Sequence, residues 1–266
     1  MVSILVAGHY CHDTLISNAG EHRALGGSAA FASAVLDALK VSCTVVSKVG
    51  PDFLYQPPHA PQVTPLPTTH FIDDYRGGER RERVTAVAPP IEPADLPPGP
   101  FDAGIACAIA GEVPQRTLAA LRARCRIVLA DAQGLLRHIT ASGEVTLQPL
   151  HEDAAAQLHF LKASAHEAKL LDLAALRTRL TLLITDGPRG CTLLEGPQET
   201  HIPAYPAEER DPTGAGDCFL AGFAAGLVQG MKPRDAARQG AWFGARAVEK
   251  TWGHPPDYLY SKFKDN

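Results

Sequence analysis

The sequence reads Asp211-Pro212-Thr213-Gly214-Ala215-Gly216-Asp217 near its C-terminal end, and an apolar run rich in Ala and Gly follows at once. That run predicts a helix over Gly216–Gln229, which places the glycines at a helix N-terminus. Free N–H groups and the helix dipole favour an anion there, and glycine lets a phosphate approach the backbone closely. Asp217 in the first turn can accept a proton from an attacking hydroxyl. The stretch therefore indicates phosphoryl transfer, and a simple capped turn at Asp217 is the structural alternative.

Two other phosphate-binding loops do not match this stretch. A Walker A loop has Lys and then Ser or Thr after its last Gly, whereas here Asp217 follows. A dinucleotide-binding loop follows the first strand of its domain, whereas this stretch lies near the other end of the chain.

The rest of the sequence alternates short apolar runs with helical runs rich in Ala and Leu. Near-continuous apolar strands predict a sheet that is buried on both faces, and their alternation with helices predicts parallel βαβ units. The predicted strands are Ser3–Gly8, Cys43–Val49, Ala103–Ala106, Ile127–Ala130, Gln157–Lys162 and Leu180–Thr185. The predicted helices are Ser28–Leu39, Pro114–Ala123, Ala165–Leu173, Gly216–Gln229 and Pro233–Thr251.

Two polar runs interrupt this alternation. Phe71–Tyr75 and Arg81–Val87 flank Arg76-Gly77-Gly78-Glu79, and Gly-Gly between alternating runs is a hairpin signal. We expect a small β lid formed by residues of about 14–25 and 71–88, within a single domain that spans residues 1–266. The stretch Phe53–Thr69 contains five prolines and predicts a loop. Its length indicates either a functional segment or a place where residues have been removed.

The composition argues against several classes of function. The chain has 266 residues, a formal net charge of −4 and no basic stretch, which argues against nucleic acid or an anionic membrane surface as a partner. No apolar run reaches the roughly 20 residues of a membrane span. The six cysteines show no C-x-x-C spacing, so the sequence supports neither a zinc motif nor a redox motif. We therefore expect a soluble protein of a reducing compartment, the cytoplasm.

Five motifs, which follow one another along the chain in the order of the family, resemble those of the ribokinase-like, or PfkB, carbohydrate kinases. One is the Thr-Gly-Ala-Gly-Asp stretch quoted above. The others are Asp13 at the end of Gly8-His9-Tyr10-Cys11-His12-Asp13, Gly26-Gly27 before an Ala-rich helix, Lys48-Val49-Gly50-Pro51-Asp52, and Thr185-Asp186-Gly187-Pro188-Arg189-Gly190. The resemblance implies a three-layer α/β/α sandwich with a mostly parallel central sheet and a small β lid. It also implies a reaction that uses ATP and Mg²⁺.

The resemblance implies roles for individual residues as well. Asp217 is implied as the catalytic base, with the N–H groups of Gly214, Ala215 and Gly216 as charge-stabilising donors. The implied acceptor-binding residues are Asp13, Gly26, Gly27 and Phe31. The implied nucleotide-binding residues are Thr185, Gly187, Gly190, Asp211, Thr213 and Gly244. Glu167 is implied to organise Mg²⁺ indirectly, through water.

Several of these residues also have a plainer interpretation. Asp13 follows the first strand and so lies at the carboxyl end of a parallel sheet, where ligands bind in α/β folds; a solvated loop aspartate is the alternative. The segment Thr185–Gly190 lies between two strands and also fits a hairpin turn. Glu167 fits an ordinary helix start, where the dipole favours an acid. Trp242 and Phe243 either flank the adenine or pack in the core.

Three positions depart from the family pattern. Ser164 replaces the Asn of the family's Asn-x-x-Glu, and Pro212 stands where many members have Thr. Phe31 replaces an Asn that carbohydrate kinases often use to contact the sugar. An aromatic ring offers no paired donor and acceptor, which argues against ribose or fructose. The runs 8–13 and 128–134 resemble the myo-inositol kinase branch of the family.

The hypothesis from the sequence is an ATP-dependent kinase that phosphorylates a hydroxyl of a small polyol, with myo-inositol as the preferred acceptor. A sugar or nucleoside kinase of the same family is the first alternative. An inactive kinase-like scaffold is the second. The expected partners are the polyol and ATP, without nucleic acid or membrane, and the oligomeric state stays open.

Overall fold

The computed structural model describes residues 2–77 and 81–249 of the chain. Its strands are β1 Ser3–Ala7, β2 Cys11–Ser17, β3 Gly20–Gly26, β4 Ser42–Val46, β5 Lys48–Val49, β6 Gln62–Val63, β7 His70–Asp74, β8 Arg81–Ala86, β9 Phe101–Ala106, β10 Cys125–Asp131, β11 Arg137–Ile139, β12 Val145–Leu147, β13 Phe160–Ser164, β14 Thr181–Thr185, β15 Cys191–Glu195 and β16 Gln198–Ile202. Its helices are α1 Ser28–Ala38, α2 Gln115–Arg124, α3 Ala132–Leu136, α4 Glu152–Ala155, α5 Leu173–Leu176, α6 Ala215–Val228 and α7 Pro233–Ala247. Short 3₁₀ turns cover Glu167–Leu170 and Gly187–Arg189.

The central sheet places its strands in the order β16-β15-β14-β13-β10-β9-β1-β4. The strands from β14 to β4 run parallel to one another, and β15 and β16 continue the sheet antiparallel. The mostly parallel sheet predicted from the sequence is therefore confirmed. Because the parallel strands all end on the same edge, the loops that follow them meet there.

Helices cover both faces of this sheet. Alternate side chains of β1 point to opposite faces, as the pleat of a strand requires. Ile4 and Val6 pack with α1, α6 and α7, whereas Leu5 and Ala7 pack with α2, α3, α4 and α5. All four side chains are fully buried. The predicted three-layer α/β/α sandwich is confirmed.

A second sheet of four strands, in the order β3-β2-β7-β8, is separate from the central one. The pairs β2–β3 and β7–β8 are antiparallel hairpins, and β2 pairs with β7 in parallel. The hairpin predicted for residues 71–88 is confirmed, and residues 14–25 belong to the other hairpin. Gly78 and Glu79 of the predicted turn lie outside the described residues.

Two predicted strands have different bounds in the structure. The predicted strand Gln157–Lys162 corresponds to β13, which begins only at Phe160, because pairing with β10 starts there. The predicted strand Cys43–Val49 is divided into β4 and β5 at Ser47. The hydroxyl of Ser47 accepts the backbone N–H of Tyr10 at 2.8 Å, so this break in the strand connects it to the loop after β1.

The predicted helix Ala165–Leu173 is wrong. Glu167–Leu170 forms a 3₁₀ turn, and Leu171 then becomes extended. The carboxylate of Asp172 caps the next helix, α5, by accepting the N–H of Ala175 at 3.0 Å. Two separate caps therefore divide a stretch whose apolar spacing alone fits one helix. The predicted helix Pro233–Thr251 is α7, and its last two residues lie outside the described part of the chain.

The predicted proline-rich loop Phe53–Thr69 is confirmed as a loop with one short strand, β6, which pairs with β5. Asp52 Oδ1 accepts both the N–H and the hydroxyl of Thr68 at 2.9 Å, which fixes the end of the loop. The ring of Phe53 stacks on His12 of β2, with centroids 5.7 Å apart. Within residues 2–77 and 81–249, none of the helices has the length and apolar character that a bilayer span requires.

Replacing Phe223 tests the packing of α6 on the sheet. Phe223 is fully buried, and its ring centroid lies 5.2 Å from that of Phe160 on β13. Phe223→Ala is expected to lower the free energy of unfolding by about 3–5 kcal/mol, because buried apolar area is lost and a cavity remains. Urea unfolding followed by circular dichroism measures this change. Leu170→Ala, at a side chain that is 46% exposed, is the control and should stay within about 0.5 kcal/mol. Equal effects of the two variants would contradict this packing.

Candidate active site

Polar side chains meet at the carboxyl edge of the central sheet. Asp131 ends β10, Ser164 ends β13, and Lys162 lies in the middle of β13. The N-terminus of α6 brings Asp217 to this edge, where it lines a cavity together with these three residues. The site is therefore built where parallel α/β sheets place their ligands.

The first of two cavities along this edge has a volume of about 500 Å³, which is within the range of small-molecule sites. Its walls come from the N-terminus of α6, from the sheet edge and from one face of the four-stranded sheet. It is lined by Asp13, Gly27, Ser28, Phe31, Phe71, Asp73, Tyr75, Glu82, Ile109, Asp131, Gln133, Arg137, Lys162, Ser164, Glu167, Pro212, Thr213, Gly214, Gly216 and Asp217.

The second cavity has a volume of about 390 Å³ and mostly apolar walls. Its lining residues are Thr185, Gly187, Pro188, Gly190, Cys191, Ala204, Tyr205, Pro206, Ala207, Glu209, Ala215, Gly216, Phe219, Ala241, Gly244, Ala245 and Val248. Gly216 lines both cavities. The N-terminus of α6 therefore lies at the junction between a polar cavity and an apolar one.

The loop before α6 needs glycine at its turn. Gly214 has a φ of 75°, a left-handed conformation that glycine adopts without strain. The ring of Phe31 lies in the space that a side chain at position 214 would occupy. Phe31 is buried, at 3% exposure, and also lines the first cavity. The aromatic at position 31 therefore supports the turn as well as the cavity wall.

The first residues of α6 offer N–H groups that have no acceptor in their own helix. Of these, the N–H of Ala215 donates to the carbonyl of Pro212 at 3.2 Å within the loop. The N–H groups of Gly216 and Asp217 therefore form the part of the helix end that is available to an anion. Ala215, which the sequence places among the donors, instead closes the turn in this structure.

Asp217 faces the first cavity, while its Oδ1 atom is buried. Burial raises the pKa of Asp217 to about 6; the Asp131 carboxylate adds to the rise, and the Lys162 ammonium and Ser28 hydroxyl oppose it. Across the described residues, Oδ1 has no hydrogen-bond partner. A half-buried carboxylate with an unused acceptor and a pKa near the working pH is suited to accept a proton from a bound hydroxyl.

Lys162 contributes a buried positive charge beside this carboxylate. Its Nζ donates to Asp131 Oδ2 at 2.7 Å, and the two side chains are 8% and 2% exposed. The register of β10 and β13 places these residues opposite each other. Burial alone would lower the pKa of Lys162, but the carboxylates of Asp131, Glu167 and Asp217 together hold it above its usual value. The ammonium also occupies the space that a side chain at Gly216 would fill.

Glu167 closes a local turn at the edge of the first cavity. Its Oε2 accepts the N–H of Ser164 at 2.7 Å, and the Ser164 hydroxyl accepts the N–H of Glu167 at 3.2 Å. This reciprocal pair is a capping box, so Ser164 preserves the turn at a position where the family pattern has Asn. Glu167, Asp131 and Asp217 place three carboxylates around the ammonium of Lys162. A surplus of carboxylate oxygens fits a hard divalent cation such as Mg²⁺.

The four-stranded sheet supplies further polar groups to the first cavity. Asp13 of β2 lies opposite Phe71 of β7, and Asp73 follows on the same face of that strand. The carboxylate of Asp13 occupies the space beside Gly26 that any larger residue would fill. Glycine at position 26 therefore leaves room for the Asp13 side chain, although Gly26 does not itself line the cavity.

An ion pair connects the four-stranded sheet to strand β11. Arg137 of β11 lies 3.2 Å from Glu82 of β8, with both side chains largely buried. The guanidinium also lies 5.9 Å from the centre of the Phe71 ring. Arg137 thus holds the four-stranded sheet over the first cavity.

The structure places on the two cavities most of the residues to which the resemblance gives a role in catalysis, binding or metal organisation. Two of these residues lie on neither cavity: Gly26 contacts Asp13, and Asp211 Oδ1 accepts the N–H of Thr213 at 2.9 Å to shape the loop. Thr213 lines the first cavity rather than the second. Trp242 and Phe243 are buried in the core, so their core interpretation is the one that the packing supports.

Sequence comparison identifies the family. Residues 101–255, which run from β9 past α7 and include the loop before α6, match the pfkB family carbohydrate kinases. The chain belongs to this family.

Inositol 3-kinase of Arabidopsis thaliana is 38% identical to this chain over 92% of the chain and 74% of its own length. Inositol 3-kinase of Oryza sativa subsp. japonica is 42% identical over 92% of this chain and 68% of its own. A solved structure of a pyrophosphate-dependent kinase in the ribokinase family, in complex with sulfate, is similar with a TM-score of 0.84 at 20% identity, over 99% of each chain. This last similarity confirms the ribokinase-like fold.

The raised pKa of Asp217 should make the stability of this pfkB protein depend on pH. A carboxyl whose pKa is higher in the folded than in the unfolded state favours folding at low pH, and this contribution is lost as the pH rises through the folded pKa of about 6. Asp217→Asn removes the titrating group. We expect the variant to gain about 1–3 kcal/mol of unfolding free energy relative to the wild type between about pH 4 and about pH 7.5. Urea unfolding across this pH range measures the difference.

The matched control for this experiment is Asp153→Asn, at an exposed aspartate on α4. Because the side chain is exposed, this substitution should change the free energy of unfolding by no more than about 0.5 kcal/mol. Parallel stability curves for Asp217→Asn and the wild type would contradict the raised pKa.

Proposed function

We propose that this protein is an ATP-dependent inositol kinase that transfers the γ-phosphoryl group to a ring hydroxyl of myo-inositol, with Asp217 as the base. The observation that carries the proposal is the N-terminus of α6 at the junction of the two cavities, because Gly216 lines both. An acceptor in the polar cavity and a donor in the apolar one would bring hydroxyl and phosphate together beside Asp217. The identity with the two plant inositol 3-kinases supports the choice of acceptor.

The walls of the first cavity suit a polyol. Asp13 and Asp73 offer carboxylate oxygens to neighbouring hydroxyls, and Gln133 offers an amide. Phe31 presents an apolar face that fits the C–H side of a cyclohexane ring. We infer that Asp13, Gly27 and Phe31 bind the acceptor and that Gly26 leaves room for Asp13.

The walls of the second cavity favour a nucleotide as the donor. Phe219, Ala241 and Val248 form an apolar slot beside Gly244, which suits a flat base. Thr185, Gly187 and Gly190 line the path from this slot toward α6. Pyrophosphate, which the structurally similar kinase uses, needs no such slot and is the alternative donor.

The chemistry assigned to this chain is the transfer of a proton and the stabilisation of charge. Asp217 takes the proton from the attacking hydroxyl, and the N–H groups of Gly216 and Asp217 donate to the phosphate oxygens. Lys162 keeps part of the Asp217 population ionised and adds positive charge next to the phosphate. Mg²⁺, held through water by Glu167 and near Asp131, would neutralise phosphate charge.

The four-stranded sheet is proposed as the lid of a single kinase domain. It covers the first cavity with Asp73, Tyr75 and Glu82 and would exclude water, which otherwise competes with the acceptor for the phosphoryl group. The six cysteines are free thiols, which is consistent with the proposed cytoplasmic location.

The acceptor assignment is tested by measuring kcat/KM for myo-inositol, ribose, fructose and adenosine under the same conditions, with ATP and Mg²⁺. We expect myo-inositol to exceed the others by at least about tenfold, because Phe31 cannot bond a sugar hydroxyl. Asp217→Asn should lower the turnover of myo-inositol by at least about 100-fold while ATP binding persists.

The outcomes of this test are distinct. A higher value for ribose or adenosine would overturn the inositol assignment and leave the kinase assignment intact. Activity with pyrophosphate but not with ATP, measured under the same conditions, would overturn the assignment of ATP as the donor. ATP binding without turnover of any acceptor would favour a scaffold.

Asp13 provides a separate test of the acceptor site. Asp13→Asn should raise the KM for myo-inositol by at least about tenfold, because a carboxylate that bonds a hydroxyl is lost, while the KM for ATP changes by less than about twofold. Asp153→Asn is the control and should change neither constant. Equal increases in both KM values for Asp13→Asn would show that this residue does not act on the acceptor alone.

A further inference from the structure

Three side chains of different chemistry converge away from both cavities. Asp37 lies in the last turn of α1, Cys43 lies in β4, and His59 lies in the proline-rich loop. One ligand atom of each lies within 4.8 Å of the other two. His59 Nε2 is 3.0 Å from Asp37 Oδ2 and 3.5 Å from Cys43 Sγ, and the thiol is 3.8 Å from Asp37 Oδ1.

The arrangement differs from that of a nucleophilic triad. In a triad, the histidine contacts the nucleophile through one ring nitrogen and the acid through the other. Here the thiol and the carboxylate both approach the same nitrogen, Nε2. Burial, together with the charge of Asp37, raises the pKa of the Cys43 thiol to about 12, which also disfavours a nucleophilic thiolate. The three groups point toward a common centre rather than along a proton relay.

The distances among the three atoms are those of ligands around a small ion. A tetrahedral zinc ion with bonds of about 2.0–2.3 Å keeps its N, O and S ligands about 3.3–3.6 Å apart. The three observed separations lie within about 0.3 Å of this range. Thiolate, imidazole and carboxylate are together a donor set of zinc and similar transition ions, and Mg²⁺ does not favour it.

We propose that Asp37, Cys43 and His59 form a binding site for a divalent transition-metal ion of the zinc type. The thiol proton leaves to solvent on binding, so that one thiolate and one carboxylate balance the two charges of the ion. Solvent reaches the cluster, because the side chains of Asp37 and His59 are 43% and 23% exposed. Water therefore completes the fourth position.

Local structure holds two of the three ligands, Asp37 and Cys43, close together before any ion binds. The chain leaves α1 through a tight turn, in which Lys40 adopts a φ of 54° and donates its N–H to the Asp37 carbonyl at 3.0 Å. This turn brings Asp37 and Cys43 together although they are six positions apart in the sequence. His59 is the long-range ligand, and its loop also carries Phe53, which stacks on His12 next to Asp13. An ion would thus connect the far part of this loop to the end of α1.

The test is a titration of the metal-free full chain with Co²⁺ in buffer without Mg²⁺ or nucleotide, followed by displacement with Zn²⁺. We expect one equivalent of Co²⁺ with a thiolate-to-cobalt charge-transfer band and a tetrahedral d–d spectrum, both removed by Zn²⁺. Zn²⁺ alone should raise the Tm, because an ion that binds only the folded chain stabilises it.

Two variants locate the ion. Cys43→Ser should abolish the charge-transfer band, and His59→Asn, in a surface loop, should weaken Co²⁺ binding by at least about tenfold. His151→Asn is the matched control, because His151 lies 3.7 Å from Asp153 at the surface without a thiol, and it should bind as the wild type does. Absence of the band in the wild type, its persistence in Cys43→Ser, or unchanged affinity in His59→Asn would overturn the site.

Discussion

The buried ion pair between Lys162 and Asp131 organises the active-site edge. Without the ammonium, the carboxylates of Asp131 and Asp217 would repel each other in a region largely removed from water, at a high cost in free energy. With it, Asp217 can be held half-buried at the N-terminus of α6 and still ionise near neutral pH. The pair also fills the space beside Gly216, so the loop before α6, Asp217 and the sheet edge form one packed unit. The site depends on this buried ion pair more than on any single loop residue.

Features that depend on local sequence could be predicted well. The loop before α6, the helices on either side of the sheet and the hairpin at residues 71–88 each follow from turn chemistry or apolar spacing. The Lys162–Asp131 pair could not be predicted in this way, because it requires knowing that β10 and β13 are neighbours in register. The only signal in the sequence is a charged residue at the end of each of two otherwise apolar runs. The positions of Arg137 and Asp73 in the cavity wall could not be predicted for the same reason. Both residues lie on strands outside the central sheet, β11 and β7, that pack over the cavity.

Other differences arise where short polar caps compete with apolar spacing. The stretch after β13 has the leucines and alanines of a helix, yet Glu167 and Asp172 each start a separate turn. The resemblance to a family locates residues correctly without stating their contacts. It places Gly244 at the second cavity, but it does not reveal that Asp211 acts on the loop from outside both cavities.

Phe31 belongs to both halves of the site, since it lines the first cavity and its ring lies against the left-handed turn at Gly214. A smaller or polar residue at position 31 would change the cavity wall and also remove the surface on which the phosphate loop rests. Under the proposed function, a change at position 31 would therefore alter acceptor choice and phosphate positioning together. An amide at this position, which a sugar acceptor would favour, would also loosen the loop unless residues 211–216 changed with it. The order in which such mutations arise, and not only their identity, would decide which acceptors descendants of this chain can use.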